Sequence, residues 1–206
     1  MPNLPISGLP ASSTLDGSEL FADVQGGITK YTTLDDIANY TTGSIGGVGG
    51  GGFGWARYDD TVYTTSSFFI VSASTSEPLP NNAGNIIDTY MNSSTAFYNS
   101  GSQKVQMAKS GDVYSMVVVF NAKAPNANQT HIDISLSSTG ATPYDRVSKS
   151  LNFAKGNDVW ENFYESFHFY ADDDFVTNGN QWTATSDGGD VHFANIIYFI
   201  QKTFGA

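Results

Sequence analysis

A run of glycine constrains this chain more than any other feature. In "GSIGGVGGGGFGW" (43–55), eight of the twelve residues from Gly43 to Gly54 are glycine. Glycine loses more conformational freedom on folding than any other residue, so such a run resists joining a packed core and behaves as a flexible tether. The 206 residues therefore divide into an N-terminal module (1–42), a tether (43–54) and a head (55–206). The head has the size of one ordinary domain and can bury a core. The first piece is near the size below which chains seldom fold without a partner or copies of themselves.

The N-terminal piece carries local signals but little apolar mass. "LPISGLP" (4–10) sets two prolines around a glycine, which favours an extended arm. "SELFADV" (18–24), the turn residues "QGG" and the alternating "ITKYTT" (28–33) predict a hairpin. "TLDDIANYT" (33–41) opens with Thr33 and has Asp36 three residues on, approximating a capping box, and predicts a short helix. The apolar set is Leu4, Ile6, Leu9, Leu20, Phe21, Val24, Ile28 and Tyr31.

From Trp55 onward, strand-like runs alternate with Gly/Asn/Asp/Ser turns. "TVYTTSSFFIV" (61–71) is rich in β-branched and aromatic residues, and "NIIDTYM" (85–91) is a shorter candidate. "DVYSMVVVF" (112–120) alternates, with Tyr114, Met116, Val118 and Phe120 on one face. "HIDISLS" (131–137) predicts Ile132, Ile134 and Leu136 inside and His131, Asp133 and Ser135 outside. "NFYESFHFYA" (162–171), "NQWTATS" (180–186) and "VHFANIIYFIQKTF" (191–204) complete the set. No run after residue 43 has a convincing 3.6-residue period. Many strands with loops of this length predict an all-β fold, an antiparallel jelly-roll sandwich.

Two strands are apolar on both faces. Phe163, Phe167 and Phe169 back Tyr164, His168 and Tyr170. Ile196, Tyr198 and Ile200 oppose Ile197 and Phe199. A strand of a monomeric sandwich shows one polar face, so a second burial surface is expected, either a subunit interface or a covering loop. We assign Tyr164, His168, Tyr170, Ile196, Tyr198 and Ile200 to an interface and Ile197 to the core.

The stretches "WARYDDTVYTTSSFFIV", "LPNNAGNIIDTYM", "FYNSGSQKVQMAKSGDVYSMVVVFNAKA", "IDISL", "LNFAKGNDVWENFYESFHFYADDDFVTNGNQW" and "IIYFIQKTF" give residues 55–206 a resemblance. This region resembles the tumour-necrosis-factor-like jelly-roll heads of phage fibres and capsid decoration proteins. The cues "ISGLP", "L-DGSE", "VQGG-TK" and "TTLDDI" resemble a short attachment module at the start of phage structural proteins. The resemblance implies a homotrimer with its last strand near the three-fold axis. It also implies that the eight N-terminal apolar residues anchor the protein to the major capsid protein or another virion component. Twelve tether residues span at most about 40 Å, and no heptad or collagen shaft follows. That favours a capsid-surface knob over a long tail fibre; a short tail fibre or adhesin head binding a host surface glycan is the alternative.

Chemistry beyond assembly finds little support. The net charge is −11, which repels nucleic acid backbones. The chain has no cysteine, which excludes disulfides and thiolate sites. Apolar runs such as "MVVVF" are too short to span a bilayer, and the first basic residue is Lys30, so neither membrane insertion nor a charged leader is expected. Asp172, Asp173 and Asp174 are adjacent, which gives charge without the separated acid and base of a glycosidase. They offer hard oxygens for calcium without the spacing of a known loop, and a polar turn is expected. His131, His168 and His192 lie far apart on predicted strands. No nucleophile elbow or phosphate-binding loop occurs. The chain is expected to be no enzyme, with no catalytic residue, metal or cofactor.

Overall fold

Side chains that alternate between a buried and an outward face build the long strands of this molecule, as along β-strand Val113–Lys123. The computed structural model describes residues 54–91, 96–126, 131–155 and 157–205, and the backbone of 20–25 and 28–33. The chain divides into two units, Met1–Gly49 and Gly50–Ala206.

In the first unit, β1 (Leu20–Gln25) pairs antiparallel with β2 (Ile28–Thr33), in a register running from Leu20 opposite Thr33 to Gln25 opposite Ile28. The expected hairpin is present. The arm over 4–10 and the helix over 33–41 fall outside the described residues.

The second unit runs β3 (Gly54–Asp59), β4 (Phe69–Val71), β5 (Ser76–Pro78), β6 (Asn85–Ile87), β7 (Tyr98–Asn99) and β8 (Lys104–Val105). It continues with β9 (Val113–Lys123), β10 (His131–Ser138), β11 (Asp145–Asn152), β12 (Glu161–Tyr170), α1 (Asp173–Asn178), β13 (Asn180–Ser186) and β14 (Val191–Phe204). One sheet has the order β12-β9-β14-β3-β6, with β4 also on β14. The other has the order β11-β10-β13-β8-β7, with β5 also on β13. Every pairing is antiparallel. From β11 the chain changes sheet at each successive strand, which is a jelly roll.

Between the sheets lies one hydrophobic core. β9 sends in Tyr114, Met116, Val118, Phe120 and Ala122, as its two-residue period requires, and β10 adds Ile132, Ile134 and Leu136. Trp182 of β13 packs on Phe167 of β12, with ring centroids 4.7 Å apart, and its indole N–H donates to the Met116 sulfur at 3.1 Å. Each large apolar side chain buried this way contributes about 1.5–3 kcal/mol.

Several expectations are corrected. The run 61–71 is a strand only over Phe69–Val71. Its Ser/Thr-rich start folds locally instead: Tyr63 N–H donates to Asp60 at 2.6 Å, and Ser67 N–H donates to Thr64 Oγ1 at 3.2 Å. Such local bonds compete with strand pairing. Ser135, expected outside, is buried. The Asp172–Asp174 segment is more than a polar turn. Asp172 caps α1 by accepting the Phe175 N–H at 2.8 Å, Asp173 and Asp174 occupy the first turn, and Phe175 is buried. Gly179 ends the helix at φ 71°, where glycine is favoured.

Candidate functional site

The last strand decides which surface this unit offers. Along β14, Val191 and Phe193 point inward. At Asn195 the backbone takes φ 53°, and the register with β9 shifts between Ala194 and Ile197. A bulge inserts one residue and reverses the alternation beyond it. Ile196, Tyr198 and Ile200 therefore fill the core of the single chain, each fully buried, while Ile197 and Phe199 face outward, half-buried. This reverses the assignment made from alternation. Ile196, Tyr198 and Ile200 are core residues and offer nothing to a neighbouring subunit; the Tyr198 hydroxyl donates to the Leu79 carbonyl at 2.7 Å. The other three assigned residues, Tyr164, His168 and Tyr170, do lie on the exposed face of β12, with Tyr164 at 67% and Tyr170 at 64% exposure.

Register assembles these outward residues into rows across the sheet. One row runs Tyr164, Val119, Ile197, Asp59. The next runs Ser166, Val117, Phe199, Arg57, Ile87. A third runs His168, Ser115, Gln201, Trp55. The centre is apolar and the third row mainly polar. A shallow depression of about 270 Å³ lies among Arg57, Val117, Val119, Tyr164, Ile197 and Phe199. Trp55 bridges its rim, stacked on Tyr90 at 4.9 Å and tilted against Phe199 at 5.2 Å. The Arg57 guanidinium is turned to Asp59, with Nε donating at 2.6 Å. An apolar centre inside a polar border is the composition of a protein–protein interface.

Where β11 and β12 form the open edge of the sandwich, a second depression of about 250 Å³ lies among Tyr144, Arg146, Val147, His168, Tyr170 and Asp172. Its floor is rigid. Arg146 grips Asp172 through two hydrogen bonds, at 2.7 and 2.8 Å, and reaches Asp174 at 3.0 Å. Its Nε donates to Asn180 Oδ1 at 3.0 Å. The guanidinium lies over the rings of Tyr144 and Phe175, each 5.0 Å away. The hydrogen bond from Arg146 holds the Asp172 carboxyl down at about 2. Two of the three acids expected to be merely solvated, Asp172 and Asp174, thus serve a cation of the chain itself, which leaves them poorly suited to calcium.

The histidines are dispersed. His131 in the second sheet pairs with Asp187 at 2.9 Å, His168 lies opposite Ser115, and His192 lies opposite Lys123 and stacks on Phe68 at 4.1 Å. Among the described residues, no group of three or more His, Asp or Glu side chains is placed to hold a metal ion. Of the eight candidate anchoring residues, Leu4, Ile6 and Leu9 fall outside the described residues. Leu20, Phe21, Val24, Ile28 and Tyr31 are placed only as backbone of β1 and β2.

Among solved structures, the chain is similar to Eiger TNF from S. frugiperda, with 14% identity and a TM-score of 0.50, over 75% of this chain and 94% of that one. The fold is the tumour-necrosis-factor-like jelly roll. PRD1 vertex protein P5 aligns with 10% identity and a TM-score of 0.46, over 97% of this chain and 90% of that one. No family model matches the sequence, and no curated protein matches it.

Proposed function

We propose that this chain is a phage virion surface protein, a homotrimeric knob decorating the capsid and held there by its N-terminal module. The observation that carries the reading is the apolar outer face of the β12-β9-β14-β3 sheet. A single chain leaves Tyr164, Val117, Val119, Ile197 and Phe199 partly in water. Exposed tyrosines continue to the β11/β12 edge, with Tyr144 and Tyr170. Face and edge are different surfaces. Seating the edge of one copy on the face of the next is a heterologous contact, and such contacts close into a ring when the rotation permits. Three copies then hold three N-terminal modules together, which raises attachment through avidity. The virion assignment rests on the order of the N-terminal cues and on the absence of a shaft between module and head. The protein acts by assembly and not by catalysis, without metal or cofactor.

Sedimentation equilibrium of the full chain tests the trimer, with three times the single-chain mass expected. A monomer at micromolar concentration would overturn it. Adding the protein to virions stripped of it and imaging them by cryo-EM tests the location.

One observation favours an adhesin head as a second reading. β3 enters with Gly54 opposite Lys202, so the tether joins the end of the sandwich remote from Lys123 and His192. That remote end carries Trp160 and Phe68, with the Lys123 ammonium 5.2 and 5.5 Å from their ring centroids. Aromatic surfaces of this kind suit glycans. Glycan-array binding that is lost in Trp160→Ala, with the trimer intact, would favour this reading.

A further inference from the structure

At the end of the sandwich where the tether enters, two charged side chains are buried side by side. Lys202 of β14 and Asp112, the residue before β9, have Nζ and Oδ2 2.7 Å apart, with side-chain exposures of 2% and 0%. The Tyr114 hydroxyl donates to the same Oδ2 at 3.0 Å. Tyr114 is itself fully buried, between Phe97 at 5.6 Å and Phe169 at 6.2 Å. Asp112 is fixed at its backbone too, accepting the Ala171 N–H at 2.8 Å. Lys202 lies opposite Tyr114 in the β14–β9 ladder, so an amine and a carboxyl on neighbouring strands are held in contact and away from water.

A buried ion pair is a poor way to stabilise a fold, because desolvation of both charges offsets most of their attraction. Condensing the pair to an amide would remove both charges. Proximity of this kind converts a slow bimolecular reaction into an intramolecular one. We propose that Lys202 and Asp112 condense spontaneously into an intramolecular isopeptide bond between Nζ and Cγ.

The atoms balance without a co-reactant. The ammonium first passes one proton to Oδ2 along the 2.7 Å hydrogen bond. The freed nitrogen lone pair attacks Cγ, and the carbonyl electrons move onto Oδ1. As the carbonyl re-forms, the Cγ–Oδ2 bond breaks, and Oδ2 leaves as water with a second proton from Nζ. One Nζ–Cγ bond forms, one Cγ–Oδ2 bond breaks, and no group is oxidised or reduced. Tyr114 is the positioning residue, since its hydroxyl holds the oxygen that departs. Burial raises the Tyr114 hydroxyl well above its ordinary value, with the Asp112 carboxylate adding to the rise, so it stays a donor. The bond would clamp the last strand to β9 beside the tether, in a chain that has no cysteine for a disulfide.

Intact-mass spectrometry of the denatured full-length chain tests the proposal. The expected mass is lower than the sequence mass by one water molecule. Tryptic digestion should leave the bond after Lys202 uncut and yield a branched peptide joining the Asp112 and Lys202 segments. Lys202→Arg keeps the positive charge but forms no such amide, and should return the full mass. Tyr114→Phe should slow the loss of water after refolding. A full-mass wild-type chain that trypsin cuts normally after Lys202 would overturn the proposal. So would a water loss that persists in Lys202→Arg. The wild-type peptide map needs no variant and decides the matter even if Lys202→Arg fails to fold.

Discussion

The Tyr198 hydroxyl donates to the Leu79 carbonyl at 2.7 Å, and both residues are fully buried. Leu79 follows β5, and its own N–H donates to the Trp182 carbonyl of β13 at 2.8 Å. One hydrogen bond therefore ties the last strand to the opposite sheet across the core. Tyr198→Phe removes the donor and leaves the Leu79 carbonyl unpaired, which costs about 1–3 kcal/mol. Thermal unfolding should show a melting temperature lower by about 2–4 °C for each kcal/mol lost. An unchanged melting temperature would mean that this bond does not hold the two sheets.

The opposite face of the same strand should govern assembly. Phe199 is half-buried and lies opposite Arg57 in the register with β3. Phe199→Glu places a carboxylate facing that guanidinium, so the single chain should tolerate it. In an apolar interface the same carboxylate would lose its water while Arg57 already serves Asp59, and a buried charge without a full partner is strongly destabilising. Sedimentation of Phe199→Glu should give a folded monomer. Tyr198→Asp, by contrast, puts a charge in the core and should give no folded head by circular dichroism. If Phe199→Glu stays trimeric, the interface lies elsewhere.

The contrast between Tyr198 and Phe199 marks the limit of what the sequence tells. Two-residue periods were legible: Tyr114, Met116, Val118 and Phe120 of β9 share one face, and Phe163, Phe167 and Phe169 of β12 lie opposite Tyr164, His168 and Tyr170. "IIYFI" (196–200) is apolar throughout, so alternation alone cannot say which set is inside. The answer depends on the bulge at Asn195, where one positive φ reverses the sides. An asparagine before an apolar run is a weak signal for such a bulge. α1 is not legible in the sequence, because six residues are too few to display a helical period. Arg146 and Asp172 stand 26 positions apart, and their pairing is a product of tertiary packing. Nothing local in the sequence reveals that the Lys202 side chain turns inward to Asp112.

Acid should weaken the Arg146–Asp172 clamp in a defined window. The folded Asp172 carboxyl titrates at about 2, below its ordinary value of 3.8, because of the hydrogen bond from Arg146. A depressed carboxylate value contributes stability that is fully present above the unfolded value. That contribution is lost as the pH falls from about 4 toward 2. Asp172 is a third exposed, so solvent screens the pair and its worth is about 1 kcal/mol or less. Asp172→Asn keeps a good helix cap while removing the charge. Wild type should be more stable than this variant at pH 6, and their melting temperatures should converge as the pH approaches 2. A constant difference across that range would show that the pair contributes nothing as an ion pair.

The head should stand without the N-terminal module, because the core residues described lie between Ala56 and Ile200. Deleting residues 1–53 leaves every buried apolar residue of that core in place. The truncated chain should unfold cooperatively, keep its β-rich circular dichroism and form the same oligomer as the full chain. It should not attach to stripped virions. Conversely, residues 1–54 fused to an unrelated trimeric protein should attach, because three weak modules held together gain avidity that one lacks. A monomeric fusion of the same module serves as the control and should attach far more weakly. Attachment by the head alone would invert the orientation, making the N-terminal module the outward-facing element and the apolar sheet face the surface that meets the virion.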